Sequence, residues 1–126
     1  MADIRILRCN KCKNVVMVLN SGTCIPQCCG EEMQELKANT SDGAMEKHVP
    51  DVTVEGDTLK VQVGSTEHPM LEEHYIQWIY LQTETDGQIK YLKPGEAPRA
   101  EFVLNGRKPV AVYEYCNLHG LWKKEL

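Results

Sequence analysis

Apolar and polar residues alternate along most of the chain after residue 50. Val52 and Val54 are interleaved with Thr53 and Glu55, a Gly56-Asp57 pair follows, and Leu59, Val61 and Val63 are interleaved with Lys60 and Gln62. A period of two on either side of a turn pair predicts a β-hairpin with one wet face. Further strands are predicted at 75–83, 88–92, 101–104, 110–115 and 121–124, punctuated by Asp86-Gly87, Pro94-Gly95 and Asn105-Gly106. About seven short strands with regular turn signals and no helical stripe predict a mainly β protein, with an antiparallel β-sandwich over residues 45–126.

Residues 1–36 follow another pattern. A short alternating segment leads into Cys9-Asn10-Lys11-Cys12, Val15-Val16-Met17-Val18-Leu19 reads as a strand, Asn20-Ser21-Gly22 turns, and Cys24-Ile25-Pro26-Gln27-Cys28-Cys29-Gly30 follows. Two sets of thiols separated by a strand and a turn have the layout of a zinc ribbon or rubredoxin-like site, a closed cage of four thiolates. So short a segment falls below the roughly 40 residues at which a core usually stands alone, and a metal is its natural staple. The expected ligands are Cys9, Cys12, Cys28 and Cys29, with Cys24 left as a small, partly buried thiol; a disulfide pair is the alternative. Neighbours in an extended chain point to opposite sides, so ligation by both Cys28 and Cys29 requires a sharp turn, which Gly30 helps to supply. Residues 37–44, small and polar without periodicity, are expected to be a linker.

Composition decides how the cysteines are read. The 126 residues are 42% hydrophobic and 25% charged with a formal net charge of -4, and the mean hydropathy of -0.40 is that of a soluble globular chain. No apolar run approaches the ~18 residues of a membrane span. The opening Met1-Ala2-Asp3-Ile4-Arg5 lacks the apolar core of a secretory signal, so a cytoplasmic location is expected. In a reducing compartment, six cysteines point to metal ligands or catalytic thiols rather than a disulfide framework. A pI near 5.5 argues against a nucleic-acid footprint, which needs a clustered basic face.

All four histidines, His48, His68, His74 and His119, lie after residue 45 where strands end, and Cys116 stands three residues before His119 in a short chelating loop that closes on Gly120. One histidine in a loop is commonly just solvated. Four in one half of the chain, beside a Cys-x2-His pair, point to a single metal. Zinc normally stops at four protein ligands, so five donors of this kind suit a metal that takes five or six, iron foremost, with one position open. A thiolate pushes electron density toward whatever binds opposite it, and an open, electron-rich ferrous site reduces small oxygen species.

These residues carry a resemblance over essentially the whole chain. Cys9-x2-Cys12 with Cys28-Cys29 resembles the desulforedoxin-type iron site, and Glu46-Lys47-His48-Val49-Pro50, His68-Pro69-Met70, His74-Tyr75-Ile76-Gln77-Trp78 and Glu114-Tyr115-Cys116-Asn117-Leu118-His119-Gly120-Leu121-Trp122 resemble the signature of desulfoferrodoxin, the two-iron form of superoxide reductase. The C-x2-C alone is weak; the set is highly specific. The resemblance implies an immunoglobulin-like sandwich behind a small iron domain and two non-haem iron ions per chain. It implies a ferrous iron with His48, His68, His74 and His119 around its equator and Cys116 as axial ligand, reducing superoxide with one electron and two protons to hydrogen peroxide. It also implies a rubredoxin-like electron donor and a homodimer. Glu46 resembles the family carboxylate that can occupy the sixth position once the iron is oxidised. Lys47 is the natural positive focus, because superoxide is an anion approaching a chain of net charge -4. Two other classes compete, a pure electron carrier and a structural zinc-ribbon module.

Overall fold

The computed structural model describes residues 4–126, and strands make up nearly all of its regular structure. The chain divides into two compact units, Met1–Lys37 and Ala38–Leu126. Residues 1–3 of the expected first domain lie outside the described residues.

In the first unit, β1 (Arg5–Arg8) lies between β2 (Val15–Val18) and β5 (Gln34–Glu35), and β3 (Gln27–Cys28) pairs with β4 (Glu31–Glu32) in a separate hairpin. Among the described residues a buried apolar cluster of this unit holds Leu7, Cys9 and Met33, with Val18 and Cys28 packed against it, and Ile6 is buried as well. At roughly 1.5–3 kcal/mol per large side chain, such a cluster leaves the unit dependent on another source of stability.

The second unit opens with one helical turn, α1 (Met45–His48), followed by β6 (Pro50–Glu55), β7 (Thr58–Val63), β8 (Ile76–Thr83), β9 (Gly87–Tyr91), β10 (Arg99–Val103), β11 (Pro109–Cys116) and β12 (Gly120–Glu125). The strands form a three-stranded sheet in the order β10-β7-β6 and a four-stranded sheet in the order β12-β11-β8-β9. The core lies between them: Leu59, Val61 and Val63 with Ala100 and Phe102 from one sheet meet Ile76, Ile79, Leu81, Val112 and Cys116 from the other. The seven strands and the sandwich match the sequence pattern. α1 was not foreseen, because four residues are too few to show a helical period.

Within the segment expected as a linker, residues 38–44 belong to the second unit, and Asn39 hydrogen-bonds to Leu121 and Lys123 of β12. At the β6–β7 turn, Asp57 accepts the Asn105 and Gly106 N–H groups, both at 3.0 Å, and so ties that turn to the one following β10. Among the described residues no helix is long and apolar enough to cross a membrane.

Candidate metal centres

The cysteines of the first unit are presented by two tight turns. After β1 the Lys13 N–H donates to the Cys9 carbonyl (2.9 Å), the Cys9 N–H donates to the Asn14 carbonyl (2.8 Å), and Lys13 adopts a left-handed φ of 69°. The second pair sits on the β3–β4 hairpin, where Cys29 and Gly30 form the two-residue loop with φ of 52° and 77°. Two consecutive positive φ values make a type I′ turn, and this turn lets adjacent cysteines face one point. The Sγ atoms of Cys9, Cys12, Cys28 and Cys29 all lie within 4.8 Å of one another, with Cys12 and Cys28 3.6 Å apart. Sulfurs held tetrahedrally about 2.3 Å from an ion are about 3.8 Å apart, so the spacing suits a four-thiolate metal. The Cys12 N–H donates to Cys9 Sγ (3.4 Å) and helps draw the Cys9 thiol down to about 6. Hydrogen bonding to Cys12, Cys9 and Cys28 pushes Cys29 up to about 12. All six cysteines are free, and Cys24 is exposed rather than partly buried, outside the group of four.

The second group gathers at one end of the sandwich. His48 ends α1, His68 and His74 lie between β7 and β8, Cys116 ends β11, and His119 lies in the turn into β12. Pairing of Pro50 with Val63, and of Cys116 with both Ile76 and Gly120, brings these strand ends together. One ligand atom from each of the five side chains lies within 4.8 Å of the others. His48 Nε2 is 3.1 Å from His119 Nδ1 and 3.2 Å from His68 Nε2, and Cys116 Sγ is 3.5 Å from His68 Nε2. Asn117 braces the ligand loop: its Oδ1 accepts the Tyr75 N–H (2.9 Å) and its Nδ2 donates to the Glu73 carbonyl (3.0 Å), flanking His74.

The chemistry of these donors calls for a cation. His48 Nδ1 lies 2.8 Å from the Ala44 carbonyl, and His68 Nδ1 lies 2.6 Å from the Pro69 carbonyl. A carbonyl can only accept, so both Nδ1 atoms carry hydrogen and both Nε2 atoms present bare lone pairs to each other. Facing lone pairs repel, and a shared metal ion removes the conflict. His74 Nε2 is buried with no hydrogen-bond partner among the described residues.

Burial favours the neutral, ligating form of His48, His68 and His74. Desolvation lowers the His68 pKa from 6.5 to about 4 and also lowers His48 and His74, the last with help from the charges of His119 and Lys47. In metal-free protein the folded state therefore binds fewer protons at His68 than the unfolded chain between about pH 6.5 and pH 4. That contribution to stability is complete above the unfolded value and is lost as pH falls through the window. Metal-free wild type should lose stability relative to His68→Gln as pH drops from 7 to 4, measured by urea unfolding. A pH-independent difference between the two proteins would contradict this.

Glu46 and Lys47, both exposed, are set beside the donors by a backbone clamp. The Glu46 carbonyl accepts the Thr66 N–H (2.8 Å) and the Ser65 hydroxyl (3.2 Å). Gly64 lies directly against the same turn: a Cβ there would be 2.7 Å from the Glu46 oxygen and 2.9 Å from both the Lys47 carbonyl carbon and the Val49 oxygen. These are backbone atoms and cannot swing aside. Gly64→Ala is expected to cost about 1–3 kcal/mol, as overpacking does, and to lower metal occupancy of the five-donor group while sparing the four-cysteine group. Metal analysis and thermal unfolding check both effects.

The desulfoferrodoxin family pattern matches residues 40–125. The chain is 51% identical over 120 residues to desulfoferrodoxin of Nitratidesulfovibrio vulgaris, covering 95% of this chain and 94% of that one. The chain belongs to the desulfoferrodoxin family. It is also 45% identical over 122 residues to desulfoferrodoxin of Desulfarculus baarsii, covering 97% and 96% of the two chains. The crystal structure of the superoxide reductase from Treponema pallidum is similar to it with a TM-score of 0.81 and 35% identity, over 98% of this chain and all of that one. The two donor groups, four cysteines and four histidines with one cysteine, match the two iron centres of a two-iron desulfoferrodoxin.

Glu114 received no role from the sequence. It is fully buried on β11, two residues before Cys116 on the same strand face, and neither carboxylate oxygen has a hydrogen-bond partner among the described residues. Burial raises its pKa well above the ordinary 4.5, which favours the protonated acid. The signal was present in the alternation: Val112, Glu114 and Cys116 share the inward positions, and an acid there is out of place in a core. Glu72 and Glu73, which precede His74 in the same loop, are exposed.

Proposed function

We propose that this protein is a superoxide reductase that converts superoxide to hydrogen peroxide at the five-donor centre, consuming one electron and two protons for each superoxide. The observation that carries the reading is the convergence of four imidazoles and one buried thiol in a chain of this family. His48, His68, His74, His119 and Cys116 hold a ferrous iron, and Cys9, Cys12, Cys28 and Cys29 hold a second iron. Bound ferrous iron at the five-donor centre supplies the electron, and an external donor of rubredoxin type restores it.

The rest of the work belongs to the protein. The Ala44 and Pro69 carbonyls fix the tautomers of His48 and His68, so that Nε2 is free to ligate. Burial of Cys116 shields the thiol from oxidation and solvent, and raises its pKa so that only a cation beside it makes the thiolate favourable at neutral pH. Lys47 offsets the net charge of -4 near the entrance, draws in the anionic substrate, and supplies a proton donor where negative charge builds. Glu46, adjacent to it and exposed, is the carboxylate that would be at hand to help the product leave. The protein acts in the cytoplasm as a homodimer.

Addition of azide to the fully oxidised protein tests the open position. A shift in the visible spectrum of the five-donor centre, with two irons per chain by metal analysis, is expected. An unperturbed spectrum would favour an electron carrier, and zinc as the sole metal would favour a structural module.

A further inference from the structure

Residues 39–44 run beside β12 and touch it repeatedly. β12 is an edge strand of the four-stranded sheet, so one side of its backbone is paired with no other strand of that sheet. Asn39 satisfies that side around Trp122. Its N–H donates to the Leu121 carbonyl (3.0 Å), its Nδ2 donates to the Lys123 carbonyl (3.1 Å), and its Oδ1 accepts the Lys123 N–H (2.8 Å). A side-chain amide carries the donor and acceptor of a peptide group, so Asn39 stands in for one residue of a missing strand. Its φ of 63° is a conformation asparagine tolerates better than most residues.

The same segment then reaches the five-donor group. Ser41 packs on Gly120, where a Cβ would lie 2.9 Å from the Ser41 hydroxyl. The Gly43 backbone lies against the rings: a Cβ there would be 3.2 Å from both His48 and Trp122 and 3.3 Å from His119. The Ala44 carbonyl takes the His48 Nδ1 hydrogen. Trp122, between the two residues that Asn39 grips, stacks on His48 with ring centroids 4.9 Å apart and 28° between planes, and its indole N–H donates to the His119 carbonyl (3.0 Å).

We propose that Asn39 is a positioning residue for the five-donor centre: it clasps residues 39–44 to β12 and thereby fixes Trp122 and the Ala44 carbonyl, which hold the His48 and His119 rings. The inference rests on the reading that these histidines bind the metal. Residues that orient ligands from outside typically change metal affinity by about 10–100-fold when removed. Without the clasp the segment lifts from His48 and Trp122, and metal leaves from that side more easily. The four-cysteine centre, in the other unit, is unaffected.

The test uses the full chain loaded with iron in both centres. Asn39→Gly deletes the side-chain bonds while keeping the left-handed backbone accessible, and Asn39→Asp keeps the acceptor for the Lys123 N–H but loses the donor. Asp57→Ala is the control, since it removes two hydrogen bonds at a turn of the same unit that carries none of the five donors. Each protein is mixed with an iron chelator while the absorption of each centre and the tryptophan emission are followed. Asn39→Gly is expected to release iron from the five-donor centre about ten-fold faster than wild type, Asn39→Asp at an intermediate rate, and Asp57→Ala at the wild-type rate even if its melting temperature falls. Equal release from wild type and Asn39→Gly would overturn the proposal, as would equal acceleration by Asp57→Ala; if Asn39→Gly does not fold, Asn39→Asp against wild type decides. Absence of any Cys116-dependent absorption in wild type would instead overturn the reading of the centre on which the proposal stands.

Discussion

Cys116→Ser is expected to abolish the thiolate-to-iron absorption of the five-donor centre and to lower its iron affinity by at least about 100-fold, since loss of a residue that merely orients a ligand already costs 10–100-fold. The reason is both chemical and geometric. Cys116 is fully buried at the end of β11, 3.5 Å from His68 Nε2, and serine offers a shorter side chain with a harder, more basic oxygen that the buried site does not ionise. Superoxide reduction should fall with it, while the four-cysteine centre keeps its own spectrum, because none of its ligands lies in the second unit. An unchanged spectrum in the variant would discard Cys116 as a ligand.

The second large effect is expected at Lys47. The chain carries a net charge of -4, so an anionic substrate meets a repulsive average field. Lys47 is exposed, next to the ligand His48, and its charge acts on His74. Lys47→Ala should slow superoxide capture by about 10-fold or more at low ionic strength, and the remaining rate should depend less on salt. Stopped-flow or pulse radiolysis across a salt series measures both quantities. A variant that captures superoxide as fast as wild type would remove Lys47 from the mechanism.

Much of this architecture is legible without coordinates, for reasons that can be named. The strands of the three-stranded sheet announce themselves because one of its faces is wet, and the resulting period of two survives even in short runs such as Leu59, Val61 and Val63. The five donors are legible because histidine is scarce in the chain and because Cys116 and His119 have chelating spacing. What stayed hidden depends on backbone shape. The type I′ turn at Cys29-Gly30 shows only as an awkward pair of adjacent cysteines until the φ values are known. Gly64 looks like an ordinary turn glycine until the backbone of residues 46–49 is seen against it. Residues 39–44 lack periodicity because they pair with β12 through a side chain, which leaves no alternation to read. Glu114 was visible as an inward acid, but its isolation from any partner is a property of the packed interior.

The most direct test of the central claim is a pulse of superoxide delivered to the pre-reduced, iron-loaded protein with no added donor, with peroxide yield and iron oxidation recorded together. One peroxide per superoxide, with an equal amount of iron oxidised at the five-donor centre, is the expected result. Half a peroxide per superoxide with oxygen evolved and no net oxidation would mean dismutation, and superoxide decaying as it does without protein would contradict the account outright.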